Sequence, residues 1–382
     1  MDRPEAPRPT SAELPQFKGR PGWEFTDISG LDLAAYKPVA EPEHVEPADE
    51  LFEIAEGELP PGVVVTSIAE APPELLGRVV TADDVFTLLN DSASYRAGSF
   101  VYVPRGMVLE RPIALRTVQA GDGSLLNQRT LIVLEEGAQA EIWEQYLSAA
   151  AELDGVFNVV TELSVGTGAH LRYVCGQALS EKSWIFGAQR AEVGRDASLD
   201  WVALGFGSAR GRVRMETRLD GEGAEARVTG AYATHGRQHI DFDTTQEHAA
   251  PNTTSDLAFR GVLEGRSTAV WRGNIIVDPG AQKTDAFQES RNLLISKRAH
   301  ADAIPGLEIQ ANDVRCTHAA AVAQVDPEQL FYLRSHGLDP EVAKRLVIEG
   351  FLAALVERFE QGPVREQLAT TLERRLALVL GG

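Results

Sequence analysis

The chain has 382 residues, 43 % apolar and 24 % charged, which is ordinary for a globular protein with room for two or three structural units. Its formal charge of −20 repels nucleic acid and anionic membrane, excluding both as main partners. No apolar run approaches the roughly 20 residues that span a bilayer.

The N-terminus, MDRPEAPRPTSAELPQF, has no apolar signal-peptide region and carries acids that transit peptides avoid. Two widely separated cysteines suit a reducing compartment, so a cytoplasmic location is expected. Twelve of the twenty prolines fall at or before position 73, which breaks any long helix there. Short helices are predicted over Leu31–Tyr36 and Ala82–Asn90, the second with Thr81 as its N-cap and Asp83 and Asp84 in its first turn. These pieces form an expected N-terminal region, residues 1–96.

From about Gly98 short β-rich segments recur between glycines. Four align: GAQAEIWE from Gly137, GAHLRYVC from Gly168, DASLDWVA from Asp196 and GAEARVTG from Gly223, with starts 31, 28 and 27 residues apart. The second, fourth and sixth residues of each are apolar (in the first, Ala138, Ala140 and Ile142), while those between are mostly polar. That is period-two alternation with one buried face. A glycine turn followed by a half-buried strand, repeated as a unit, predicts stacked coils of a β-solenoid over residues 97–322. An antiparallel sandwich is the competing arrangement.

Residues 323–382 switch to helix. Asp326-Pro327-Glu328 and Asp339-Pro340-Glu341 each place a capping acid before a proline at the first helical position. Gly337 and Gly362 stop the first two helices, and a third follows Pro363. A stripe through Val342, Leu346, Val347, Phe351, Leu352, Leu355 and Phe359 is expected to be an apolar face in need of cover.

No GxSxG, Walker lysine loop or helix-opening GxGxxG occurs, and no carboxylate pair stands out as a carbohydrate-cleaving site. Cys175 continues the inward parity of Ala169, Leu171 and Tyr173, and so reads as core. His239, Asp241 and Asp243 share one strand face, with His248 beyond; the pattern suits either a divalent ion or a solvated face. In DVRCTHAAAV, Cys316 and His318 also share a face. Two ligands cannot close a tetrahedral site, but thiolate and imidazole can supply half of an intersubunit iron–sulfur site.

The run from Arg291 to Leu338 resembles the SufB/SufD family of iron–sulfur cluster assembly proteins, with GRPGWEFTDISGLDL, VPRGMVLERPIAL and GNIIVDPGAQKTDAFQESRNLL in agreement. The low cysteine count favours its SufD type. The resemblance implies a right-handed parallel β-helix with N- and C-terminal helical regions. It implies a non-catalytic cytoplasmic scaffold that pairs with SufB and binds the ATPase SufC through its C-terminal helices. His318, with Cys316 second, would then contribute to a transient cluster at the SufB interface, and the isolated chain could form a homodimer. The family's Gly-Ala-Thr-Val-Gly after the histidine is here Ala319 to Ala323, without either glycine. Alternative expectations are a homodimeric scaffold or sulfur carrier working without SufB, and a carbohydrate-active β-helix.

Overall fold

The computed structural model describes residue 14 and residues 22–41, 44–54 and 57–379. The rest of the proline-rich N-terminus, including residues 19–21 of the GRPGWEFTD piece, lies outside the described residues.

The chain folds as a parallel β-solenoid whose strands alternate between two sheets. One sheet holds the strands Ser124–Leu134, Gly155–Val165, Trp184–Val193, Arg210–Leu219, His239–His248, Thr268–Val277 and His300–Ile309. The other has eight strands, from Ile113–Gln119 through Gln139–Ser148 to Asp285–Leu294 and Arg315–Gln324. Every pairing between successive coils is parallel, which rules out the sandwich.

The sequence repeat is the hydrogen-bonded register. Ala140 pairs with Leu171, Leu171 with Leu199, and Leu199 with Ala226; two positions on, Ile142, Tyr173, Trp201 and Val228 form the next inward column. All eight are buried in the bore of the solenoid. The turn before these strands needs a left-handed residue, supplied by Gly137, Gly168, Asp196, Gly223, Asn252 and Lys283 in successive coils. Each donates its N–H to a carbonyl one coil further on, as Gly168 does to Arg195 at 2.8 Å. Stacked turns thus continue the ladder around the corner.

The first sheet is closed at its N-terminal end by Val64–Ser67, which pairs antiparallel with Ser99–Val103. Its outer face is covered by Trp23, Ile28 and Leu31 together with helix α1 (Val85–Ser92). The N-cap of α1 is Asp84 rather than Thr81: its carboxylate accepts from Phe86 and Thr87, and Thr87 answers with a capping box. This start places Val85 and Phe86 against the sheet. Of Leu31–Tyr36, only a 3₁₀ turn, Leu33–Ala35, forms.

Helices α2 (Pro327–Ser335), α3 (Pro340–Val356) and α4 (Pro363–Val379) follow the solenoid. Asp326 and Asp339 cap α2 and α3 with a proline at the first position. The expected uncovered stripe is corrected in part. Leu352, Leu355 and Phe359 are buried with α4's Leu368, Leu372 and Leu376 against the second sheet's outer face, around Trp143, Val174 and Val202. A sheet of this length has two faces to cover, and these helices cover the second one. What stays outside is Phe331 at 73 % exposure and Tyr332 at 63 %, with Val342 and Leu346 beside them in the chain's first two C-terminal helices. Among the described residues, no helix is long and apolar enough to cross a membrane.

Candidate functional site at the open end of the solenoid

The last coil, His300–Ile309 and Arg315–Gln324, has no successor, so each strand keeps one unpaired edge. Its inward rows are fixed by register with the coil below. Pro305, Leu307 and Ile309 stand over Gly273, Ile275 and Val277. Cys316, His318, Ala320 and Val322 stand over Ala286, Gln288, Ser290 and Asn292. The lower residues are buried; the upper ones form an end plate. Leu307, Ile309 and Val322 are 36 %, 43 % and 42 % exposed there, a continuation of the core presented to solvent.

Cys316 and His318 therefore share a face, as the alternation predicts, but differ in access. The Cys316 side chain packs half-buried against Ile275, Val277, Ala281 and Ala286. Burial, with Asp285 nearby, pushes its thiol above the usual range. His318 is exposed and has no hydrogen bond or ion pair among the described residues. Directly beneath it, the Gln288 carboxamide crosses the bore and donates to the carbonyls of Gly273 (3.2 Å) and Gly306 (3.1 Å). Gln288 is a floor that the sequence pattern did not single out, because a lone glutamine at an inward position carries no motif.

Cys175 lies elsewhere. It is buried five strands away in the same sheet, about 24 Å at ordinary strand spacing. Burial pushes its thiol up to about 12. Its column neighbour Glu144 is equally buried and accepts from Thr130 (2.6 Å), Tyr173 (2.5 Å) and Tyr146 (3.2 Å).

The His239, Asp241 and Asp243 face is neither solvated nor free. Thr26 of the N-terminal segment lies on it, its hydroxyl 3.1 Å from His239 Nε2 and donating to Asp241 at 2.5 Å. Arg212 pairs with Asp243 and lies 3.7 Å from Asp241. Burial drives Asp241 up to about 6 and His239 down to about 4. His248 points into the bore between Thr253 (2.8 Å) and Ser255 (2.9 Å). No cluster of three or more His, Cys, Asp or Glu suited to a metal ion exists among the described residues. Cys316 and His318 would thus need ligands from outside the chain to enclose a metal.

A family model described as "SUF system FeS cluster assembly, SufBD core domain" matches residues 117–351. The iron–sulfur cluster assembly protein SufD of Bacillus subtilis is 33 % identical over 75 % of this chain and 65 % of its own length, just under two thirds. The SufBD family protein Rv1462 of Mycobacterium tuberculosis is 28 % identical over 83 % of this chain and 80 % of its own. The chloroplastic protein ABCI7 of Arabidopsis thaliana is 28 % identical over 94 % of this chain and 82 % of its own. With most of the solenoid and the first C-terminal helices inside the matched region, the chain belongs to the SufBD family of iron–sulfur cluster assembly proteins and is SufD-like.

Proposed function

We propose that the chain is a non-catalytic, cytoplasmic scaffold subunit that docks end to end with SufB, with the nascent iron–sulfur cluster as the cargo built between them. The observation that carries this reading is the apolar end plate with two unpaired strand edges around His318. An unpaired edge with exposed Leu307, Ile309 and Val322 is an aggregation hazard unless another chain continues it. A partner coil seated there would complete the sheets by strand addition and enclose His318 and Cys316. His318, the accessible member, then supplies the first ligand to the cluster, and Cys316 the second.

Phe331 and Tyr332 support SufC as a second partner, since two aromatics at such exposure suit an interface anchor. ATP-driven movement of SufC would act on the helices and thereby on the end plate. Co-expression with SufB and SufC tests the reading: a stable complex with one copy of this chain per SufB is expected. Recovery of this chain only as a homodimer, with SufB excluded, overturns the SufB pairing.

A further inference from the structure

The turns that lead into the last three strands of the first sheet are stacked. His239, Thr268 and His300 are partners in the strand register, and two places before each stand Arg237, Arg266 and Arg298. Backbone bonds carry the register around this corner. Arg266 donates its N–H to the Gly236 carbonyl (2.8 Å), Thr268 to Gln238 (2.9 Å) and His300 to Ser267 (3.1 Å). The three arginines are therefore rungs of one column, one coil or about 4.8 Å apart. All three are exposed, and exposed Lys297 stands beside the last.

None of these four side chains has a hydrogen bond or ion pair among the described residues. The acids at the corner are engaged elsewhere. Glu264 accepts from Ser296 (3.0 Å), Glu181 pairs with His235 (2.8 Å), and Asp302 with His300 (3.2 Å). Other cations on the solenoid are treated differently. Lys182, which precedes Trp184 by the same two places, is paired with Glu152 at 2.6 Å. On the second sheet Asp200 stands in register between Arg172 and Arg227 and bonds both, at 2.9 and 2.6 Å. Like charges in adjacent rungs repel, and alternation removes that cost. A chain with 56 acidic residues against 36 Lys and Arg nevertheless leaves these three arginines stacked without an acid between them.

We propose that the arginine column is a docking site for an acidic helix of a partner protein. The spacing selects a helix. Acids at i, i+3 and i+7 share one helical face and rise about 4.5 and 10.5 Å, within about 1 Å of the second and third rungs. Same-face residues of a strand are about 6.8 Å apart and miss the third rung by about 4 Å. Among the described residues, no helix of this chain carries acids at i, i+3 or i+4, and i+7, so the occupant is a different protein rather than a second copy. The net charge of −20 opposes a long polyanion such as nucleic acid, whereas a short row of carboxylates meets only the column. The column lies at a corner, so its occupant need not be the chain that covers the end plate.

The test uses the full-length chain and two fluorescein-labelled, alanine-based helical peptides of identical composition. One carries glutamates at i, i+3 and i+7; the other carries them at i, i+5 and i+10, which point to three different sides. In about 20 mM salt the first should bind about fivefold or more tightly than the second, and about 0.5 M salt should remove the difference. R237Q/R266Q/R298Q alters exposed positions only, so its melting temperature should stay within about 2 °C of the native chain. Its affinity for the first peptide should fall about tenfold or more, and that of Arg266→Gln alone about threefold. Equal binding of the two peptides, undiminished binding by the variants, or no binding of either at about 1 mM overturns the proposal. Tighter binding of a thymidine oligonucleotide of equal charge also overturns it, and assigns the column to nucleic acid.

Discussion

His318 stands in register directly above Gln288 in the same inward column, yet Gln288 is fully buried and His318 is exposed. One coil separates an interior position from a surface one, because nothing is stacked on the strand that carries His318. An imidazole in an inward position is then a group waiting to be enclosed. The column continues through Leu257, Val228, Trp201 and Tyr173, all buried core. At His318 the packed column ends and the side chain becomes accessible.

If the end plate is the docking surface, a charge on it should block docking without unfolding the chain. Val322→Glu replaces an exposed apolar residue, so the isolated chain should keep its stability within about 0.5 kcal/mol. Pairing with SufB should weaken about 100-fold or more, because the carboxylate would be buried unpaired. Titration of SufB by light scattering or calorimetry reads the difference, and undiminished affinity would count against this surface.

The exposed aromatic pair gives an independent handle. Phe331→Ala and Tyr332→Ala should each weaken SufC binding about tenfold or more, the loss typical of an aromatic anchor. SufB pairing should be unaffected, since both rings belong to α2 and neither is on the strands of the last coil. Pull-down of each partner in turn separates the two effects.

Glu144 predicts an unusual pH dependence. Burial raises its carboxyl above the usual range despite the three hydroxyls facing it. The folded value therefore lies above the unfolded one of about 4.3, and ionisation costs the folded state free energy as pH rises through that value. Glu144→Gln removes the cost while keeping the shape. Relative to the native chain, its urea midpoint should rise as the pH is raised above the unfolded value, the direction opposite to that for a salt-bridged acid. A difference that does not vary with pH would refute the assignment.

His248 works the other way. Burial between Thr253 and Ser255 lowers it to about 4, beneath the unfolded value of about 6.5. Stability is complete above the unfolded value and falls as pH drops towards 4, by at most about 1.4 kcal/mol per pH unit for this group. His248→Gln, which can still bond both hydroxyls, should lose less stability than the native chain between about pH 6.5 and about pH 4. Comparing the two chains cancels the contributions of His239 and Asp241.

Much of the fold was legible in the sequence because it is local and repeated. Ala140, Leu171, Leu199 and Ala226 could be superposed by spacing alone, and the superposition is the register. Asp326 and Asp339 announced their helices for the same reason, since a cap and its first turn are neighbours in sequence. Long-range docking left no such trace. Thr26 meets Asp241 across 215 positions, and Thr371 meets Leu51 across 320. Alternation shows which face of a strand is polar, not whether another segment lies on it; this is why the His239 face read as open. The apolar stripe of α3 read as unmet need, when its cover was an outer sheet face around Trp143 and Val202. For Cys316 and His318 the spacing gave their shared face, while their unequal access followed only from the chain ending its solenoid at that coil.

The most direct test is the cluster yield of a reconstituted complex carrying His318→Ala. The side chain is exposed and unbonded, so the variant should fold and assemble like the native chain, with a melting temperature within about 2 °C. If His318 is the accessible ligand of an intersubunit site, iron and sulfide bound per complex should fall about tenfold or more. Full cluster yield from a properly assembled His318→Ala complex would contradict the account.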